Sequence, residues 1–140
     1  RDSDGASLAL GYTDISGGYS FAGIADNETV FLRVYARTDL AGNMPVIVRN
    51  APGGPVYTAA STSHTIISNK TINLDIGSEG SAPFNILDMG FLSFDYVDEF
   101  YGGTGTAPTP TAPLQMYWYS GGSPGTYFNR NTNQIFLLGL

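Results

Sequence analysis

Across residues 29–37 hydrophobic and polar positions alternate with a period of two. Val30, Leu32, Val34 and Ala36 fall on one side, and Phe31, Arg33, Tyr35 and Arg37 on the other. This is the pattern of a half-buried strand whose arginines point outward. Shorter segments of the same kind occupy residues 6–12, 45–49, 56–60, 65–68 and 71–76, and Ile72, Leu74 and Ile76 alternate cleanly in the last of them. Between the segments stand turn residues: Asp26-Asn27-Glu28, Gly42-Asn43, Pro52-Gly53-Gly54-Pro55 and Asn69-Lys70. In the stretch T-D-I-S-G-G-Y-S-F at 13–21, the Asp14 side chain is placed to bond the backbone of a turn. Gly17 or Gly18 can take the positive φ that a tight connection needs, and Tyr19 and Phe21 then share one face of a strand.

The periodicity changes at residues 77–81. Pro83 suits the first turn of a helix, and Phe84, Leu87, Phe91 and Phe94 recur every three or four positions, with Ile86 and Val97 widening the stripe. The spacing predicts one amphipathic helix over 83–101, ended by Gly102-Gly103. Gly90 in its interior costs about 1 kcal/mol relative to alanine. Residues 102–113 form a Thr-, Pro- and Gly-rich extended segment, and 114–120 and 134–140 read as two strands joined by the Gly- and Asn-rich residues 121–133. The fold expected is therefore mainly β. Residues 1–80 form an antiparallel sandwich; residues 81–140 add the helix, the loop and a C-terminal strand pair, either as an appendage or packed with the first part as one unit.

Composition sharpens this picture. The 140 residues include 18 glycines, eight prolines and 13% aromatics but only 13% charged side chains, which favours a turn-rich β protein. A net charge of −6, with six scattered basic residues, opposes nucleic acid as a partner. The lack of cysteine excludes disulfides and thiolate chemistry, and no apolar run is long enough to span a bilayer. Low charge and a single lysine match exported proteins, so an extracellular or cell-surface location is expected.

Candidate chemistry is sparse. Asp2-Ser3-Asp4-Gly5 begins like a calcium loop but lacks the later ligands and reads as a turn. His64 is the single histidine, so the chain can form neither a His-rich zinc site nor a Glu-x-x-His pair, and no G-x-S-x-G elbow occurs. Asp88, Asp95, Asp98 and Glu99 on the polar side of the helix read as solvated charges or a weak cation site. No catalytic, cofactor-binding or metal-ligating residue is assigned, and no cofactor is implied. The interaction candidates are Tyr117, Trp118 and Tyr119: Tyr117 and Tyr119 share one face of a strand, Met116 and Trp118 the other. One face must be core, and the second is a protein interface or a sugar-stacking platform.

Thr13-Asp14, Gly17 and Tyr19-x-Phe21, with the strand at 29–37, resemble the carboxypeptidase regulatory-like domain over roughly residues 4–38. That resemblance implies a transthyretin-like antiparallel β-sandwich, and it places the start of this chain after the sandwich's opening strand. A missing strand leaves an edge that a partner or an identical subunit can fill. Ala82-Pro83-Phe84-Asn85-Ile86-Leu87-Asp88, Pro113-Leu114-Gln115-Met116-Tyr117-Trp118 and Gln134-Ile135-Phe136-Leu137-Leu138-Gly139 look like the lead-in to the catalytic domain of secreted bacterial zinc peptidases. In that family a helix and a strand pair precede the helix bearing H-E-x-x-H, which is absent here, so no ligand or general base carries over.

Two main expectations follow. The first is a non-catalytic extracellular structural or assembly module that docks on a protein partner or identical subunits through an open sheet edge and aromatic strands. The second is an N-terminal non-catalytic fragment of a secreted zinc metallopeptidase. Carbohydrate binding is a further alternative.

Overall fold

The computed structural model describes residues 5–14, 16–38, 46–77, 80–101, 113–120 and 125–139. Mainly β structure with one helix is what it shows: β1 (Thr29–Val30), β2 (Arg33–Tyr35), β3 (Val46–Arg49), β4 (Thr58–Ala60), β5 (His64–Thr65), α1 (Ala82–Tyr101), β6 (Leu114–Ser120), β7 (Tyr127–Asn129) and β8 (Gln134–Gly139). The sequence changes character near residue 80, but the chain divides into two interleaved units. Arg1–Val34 with Ala60–Asp75 make one; Tyr35–Ala59 with Ile76–Leu140 make the other. β2 pairs with β4. Of the turn expected at 2–5 only Gly5 is among the described residues; the Gly42-Asn43 turn, the helix end expected at Gly102-Gly103 and all of the 102–113 segment but Pro113 lie outside them.

The first unit is held as much by side chains bonding to backbone as by ladders. Its turn at 14–18 is the one expected from sequence. One Asp14 carboxylate oxygen accepts from the Ser16 amide at 2.8 Å, the Ser16 hydroxyl at 2.7 Å and the Gly18 amide at 2.8 Å. Gly17 takes φ +79°, and a Cβ on Gly18 would stand 2.7 Å from the Asp14 carboxylate. These bonds, the Ser16 hydroxyl first, hold the Asp14 carboxyl below its ordinary pKa. Tyr19 and Phe21 follow with rings 5.6 Å apart, and the Tyr19 hydroxyl donates to the Ile72 carbonyl.

Residues 6–12 and 19–21, expected as strands, form no ladder. The strand pair expected from 65–68 and 71–76 around Asn69-Lys70 is also replaced: β5 pairs antiparallel with β1, Thr29 opposite Thr65 and Val30 opposite His64. The turn at 26–28 explains the choice. The Asn27 amide donates to the Ile66 carbonyl at 2.7 Å, the Ile66 amide to the Glu28 carbonyl at 2.9 Å, and the Ser68 amide to the Asp26 carboxylate at 3.1 Å. Those bonds use the polar groups that a local hairpin would need. Residues 71–77 still alternate exposed and half-buried, so the period-two pattern is correct without a ladder.

In the second unit four strands lie in the order β3-β6-β8-β7. The inner pairings are parallel, Val46 to Arg49 against Leu114 to Tyr117 and Gln115 to Ser120 against Gln134 to Gly139, and β7 closes the sheet antiparallel to β8. The C-terminal strands of the sequence reading are therefore parallel neighbours, and the segment between them supplies β7. Parallel strands need a long crossover, and α1 provides it between β3 and β6. Helix and prediction agree closely: the Ser81 carbonyl accepts the first turn's amides from Phe84 and Asn85, and Pro83 is buried where it needs no donor.

Ala36, Val46, Val48 and Met116 are buried together, with Phe84, Ile86 and Leu87 of α1, Leu114, Ile135, Leu137 and Tyr57 packed around them. Gly90 sits at the closest approach: a Cβ there would lie 3.0 Å from Val46 Cγ1 and 3.1 Å from Met116 Sδ. The missing side chain thus relieves a tight contact with Val46 and Met116, a packing gain set against its helix-propensity cost. Phe94 and Val97 of the predicted stripe lie outside the residues whose side chains are described. No helix among the described residues is long and apolar enough to cross a membrane.

Gly90→Leu should overpack this contact and lower stability by about 1–3 kcal/mol, read by chemical denaturation. Gly90→Ala should stay within about 1 kcal/mol of the parent, because helix propensity offsets a small clash. The turn at Asp14 yields a pH test. Its carboxyl is depressed in the folded chain, so the stabilisation is complete above the unfolded pKa and is lost as pH falls through the lower folded value. The Gly18 amide resonance should stay fixed at neutral pH and shift only in acid, and Asp14→Asn should abolish that titration.

Candidate interaction surface

β6 is central in its sheet, and the three aromatic candidates of the sequence reading are its consecutive residues Tyr117, Trp118 and Tyr119. Side chains alternate across a strand, so Tyr117 and Tyr119 face away from α1 while Met116 and Trp118 face its side. The structure buries both faces. Met116 belongs to the cluster under the helix, and Tyr117 is only 1% exposed. Its ring lies 5.0 Å from that of Phe136, which stacks on Tyr127 at 4.6 Å and 8°. An aromatic row thus crosses three adjacent strands, worth roughly 0.5–1.5 kcal/mol per pair beyond its area.

Polar groups along this face are satisfied internally. The Tyr117 hydroxyl donates to the Gln115 side-chain carbonyl at 2.7 Å and accepts from the Gln134 amide at 3.0 Å. Tyr117 therefore presents no open ring face for a sugar. Trp118 and Tyr119 are half-buried. The Trp118 ring lies 5.6 Å from that of Tyr57, whose hydroxyl donates to the Trp118 carbonyl at 2.6 Å. Burial pushes the Tyr57 hydroxyl above the usual tyrosine pKa.

The two sheet edges differ. Along β3 the outer side is taken: Arg37 bridges Ile47 and Val56 bridges Arg49, both antiparallel. The Val48 amide donates to the Ala36 carbonyl at 2.9 Å, and the Val48 carbonyl accepts the Tyr57 amide at 3.1 Å. The Val46 amide reaches the Thr38 hydroxyl at 2.9 Å. β7 is the outermost strand at the other end, three residues long, with no further strand beside it among the described residues.

Its register identifies which groups face out. The Gln115 amide donates to the Asn133 carbonyl, so alternation directs the backbone of residues 134, 136 and 138 toward β7. Tyr127 and Asn129, opposite Phe136 and Gln134, then point their N–H and C=O groups inward, and Phe128 points its own outward. The Phe128 side chain is 57% exposed and that of Tyr127 is also exposed. Both residues lie in the Gly- and Asn-rich segment 121–133 that the sequence marks as a connection. The available signal was T-Y-F-N, a short aromatic pair between Gly125 and the Asn-rich turn.

The remaining candidates stay apart. Arg33 and Arg37 are exposed, as their alternation predicted, each lying over a neighbouring ring: Arg33 over Phe31 at 5.0 Å, Arg37 over Tyr35 at 5.6 Å. His64 is half-buried in β5, and Asp88 and Glu99 are exposed on α1. The side chains of Asp95 and Asp98, like Asp2 and Asp4, fall outside the description. Among the described residues no three His, Asp or Glu side chains converge as metal ligands. In comparisons with known proteins, no family model, no curated protein and no solved structure matches the chain.

Tyr117→Phe should lower stability by about 1–2 kcal/mol, since it leaves two glutamine groups short of a partner. Tyr117→Ala should cost about 3–5 kcal/mol through the cavity beside Phe136. Equilibrium denaturation of both variants checks the order.

Proposed function

We propose that this chain is a non-catalytic module of an exported protein, extracellular or at the cell surface, which serves assembly by accepting a strand from a protein partner or an identical subunit. The carrying observation is the inequality of the sheet edges: the outer side of β3 is paired, whereas β7 offers the outward Phe128 N–H and C=O beside two exposed aromatic side chains. An edge of this kind binds extended peptide through main-chain hydrogen bonds, with side-chain contacts for selectivity. The transthyretin-like sandwich remains part of this reading; its support is the Asp14 turn followed by Tyr19 and Phe21 and the alternation of residues 29–37.

One observation favours a second reading, the non-catalytic portion of a secreted zinc metallopeptidase. Helix α1 packs on parallel strands β3 and β6, and β8 follows beside β6, so the segments that resemble such a peptidase's lead-in belong to one packed unit. In that reading the unit is scaffold. Whether the coding frame continues past Leu140 into H-E-x-x-H separates the two.

Sedimentation velocity from micromolar to millimolar chain, with and without excess of an extended Val/Thr-rich hexapeptide, tests the edge. The chain should self-associate or bind the peptide. Phe128→Pro should abolish both while keeping the parent's melting temperature, because only an outward-facing donor is removed. A parent chain that stays monomeric and ignores the peptide defeats the proposal.

A further inference from the structure

Helix α1 carries a second apolar stripe opposite the one it buries. Met89, Leu92 and Tyr96 are 62%, 57% and 70% exposed. With Asn85 and Glu99, also exposed, they recur at spacings of four, three, four and three, the seam that one helix offers to another. Ser93 beside the stripe already donates its hydroxyl to the Met89 carbonyl at 2.7 Å, so it asks for no polar partner.

We propose that this outer face of α1 is a docking surface for a basic amphipathic helix of a partner protein. The charge pattern selects the occupant. The helix, APFNILDMGFLSFDYVDEFY, contains four acidic residues and no basic one. Asp88 and Glu99 stand exposed beside and at the end of the apolar row. Asp95, Asp98 and Glu99 fall in its last two turns, where the helix dipole is already negative and no basic residue compensates. A second copy of the chain would set the same acids against one another, and an anionic membrane surface would be repelled likewise. A partner helix with leucine-type residues on its seam and lysine or arginine along its flank matches both the spacing and the charge. This surface is separate from the β7 edge, and neither proposal depends on the other.

The test uses the full chain and two fluorescent synthetic helices of about five turns, alike in their leucine seam. One has Lys and Arg flanks, the other Glu flanks. Fluorescence anisotropy should show saturable binding of the basic peptide, weakening as salt rises, with the acidic peptide at least about ten-fold weaker. Leu92→Ser with Tyr96→Ser should reduce basic-peptide binding by about ten-fold or more. Asp88→Lys with Glu99→Lys should weaken it and flatten its salt dependence. All four positions are exposed, so circular dichroism should remain that of the parent. Absence of saturable binding, equal binding of the two peptides, indifference to both pairs of substitutions, or a homodimer dispersed by Leu92→Lys would each overturn the proposal.

Discussion

The contact between Gly90 and the side chains of Val46 and Met116 is the constraint on which the second unit depends. β3 and β6 can lie parallel only if the chain between them crosses over, and the crossover must cover the apolar face it passes. A 20-residue helix does both, provided its backbone can come down onto the valine and the methionine. A side chain larger than alanine at Gly90 would hold α1 off the sheet and open the cluster around Ala36, Val46, Val48 and Met116.

β6 lies between β3 and β8, with α1 over its Met116 face and the Phe136 ring beside Tyr117 on the other. That explains why Met116 and Tyr117, adjacent in sequence and opposite in direction, are both buried. The tyrosine can be buried because Gln115 and Gln134 meet its hydroxyl. Order in the sheet then decides what is left for interaction: residues 36–38 and 56–57 occupy the β3 side, and among the described residues nothing pairs beyond the short β7 strand.

The first unit solves the same problem differently. Its only internal two-strand ladder, among the described residues, is β1 with β5, two residues each. Side chains make up the difference: Asp14 gathers three donors, Asp26 takes the Ser68 amide, and the Ser61 hydroxyl accepts the Leu32 amide at 3.0 Å. Short polar residues close to turns let the chain fold back without long strands.

Much of the local structure was legible from sequence because it is decided by near neighbours. The Asp14 turn needs only Ser16, Gly17 and Gly18; the alternation at 29–37 needs only the pleat; the helix needs Pro83 and the recurrence of Phe84, Leu87 and Phe91. Partners across the chain were not legible. β5 chose β1 over the neighbouring segment 71–76, β6 and β8 paired parallel, and residues 46–49 joined the C-terminal strands, because each choice turns on which distant backbone groups remain unbonded after packing. The aromatic run at 117–119 announced a buried strand and a contact surface equally well. Tertiary structure alone turned Tyr117 inward and left Phe128 and the outer face of α1 uncovered, since burial follows from what packs on each side.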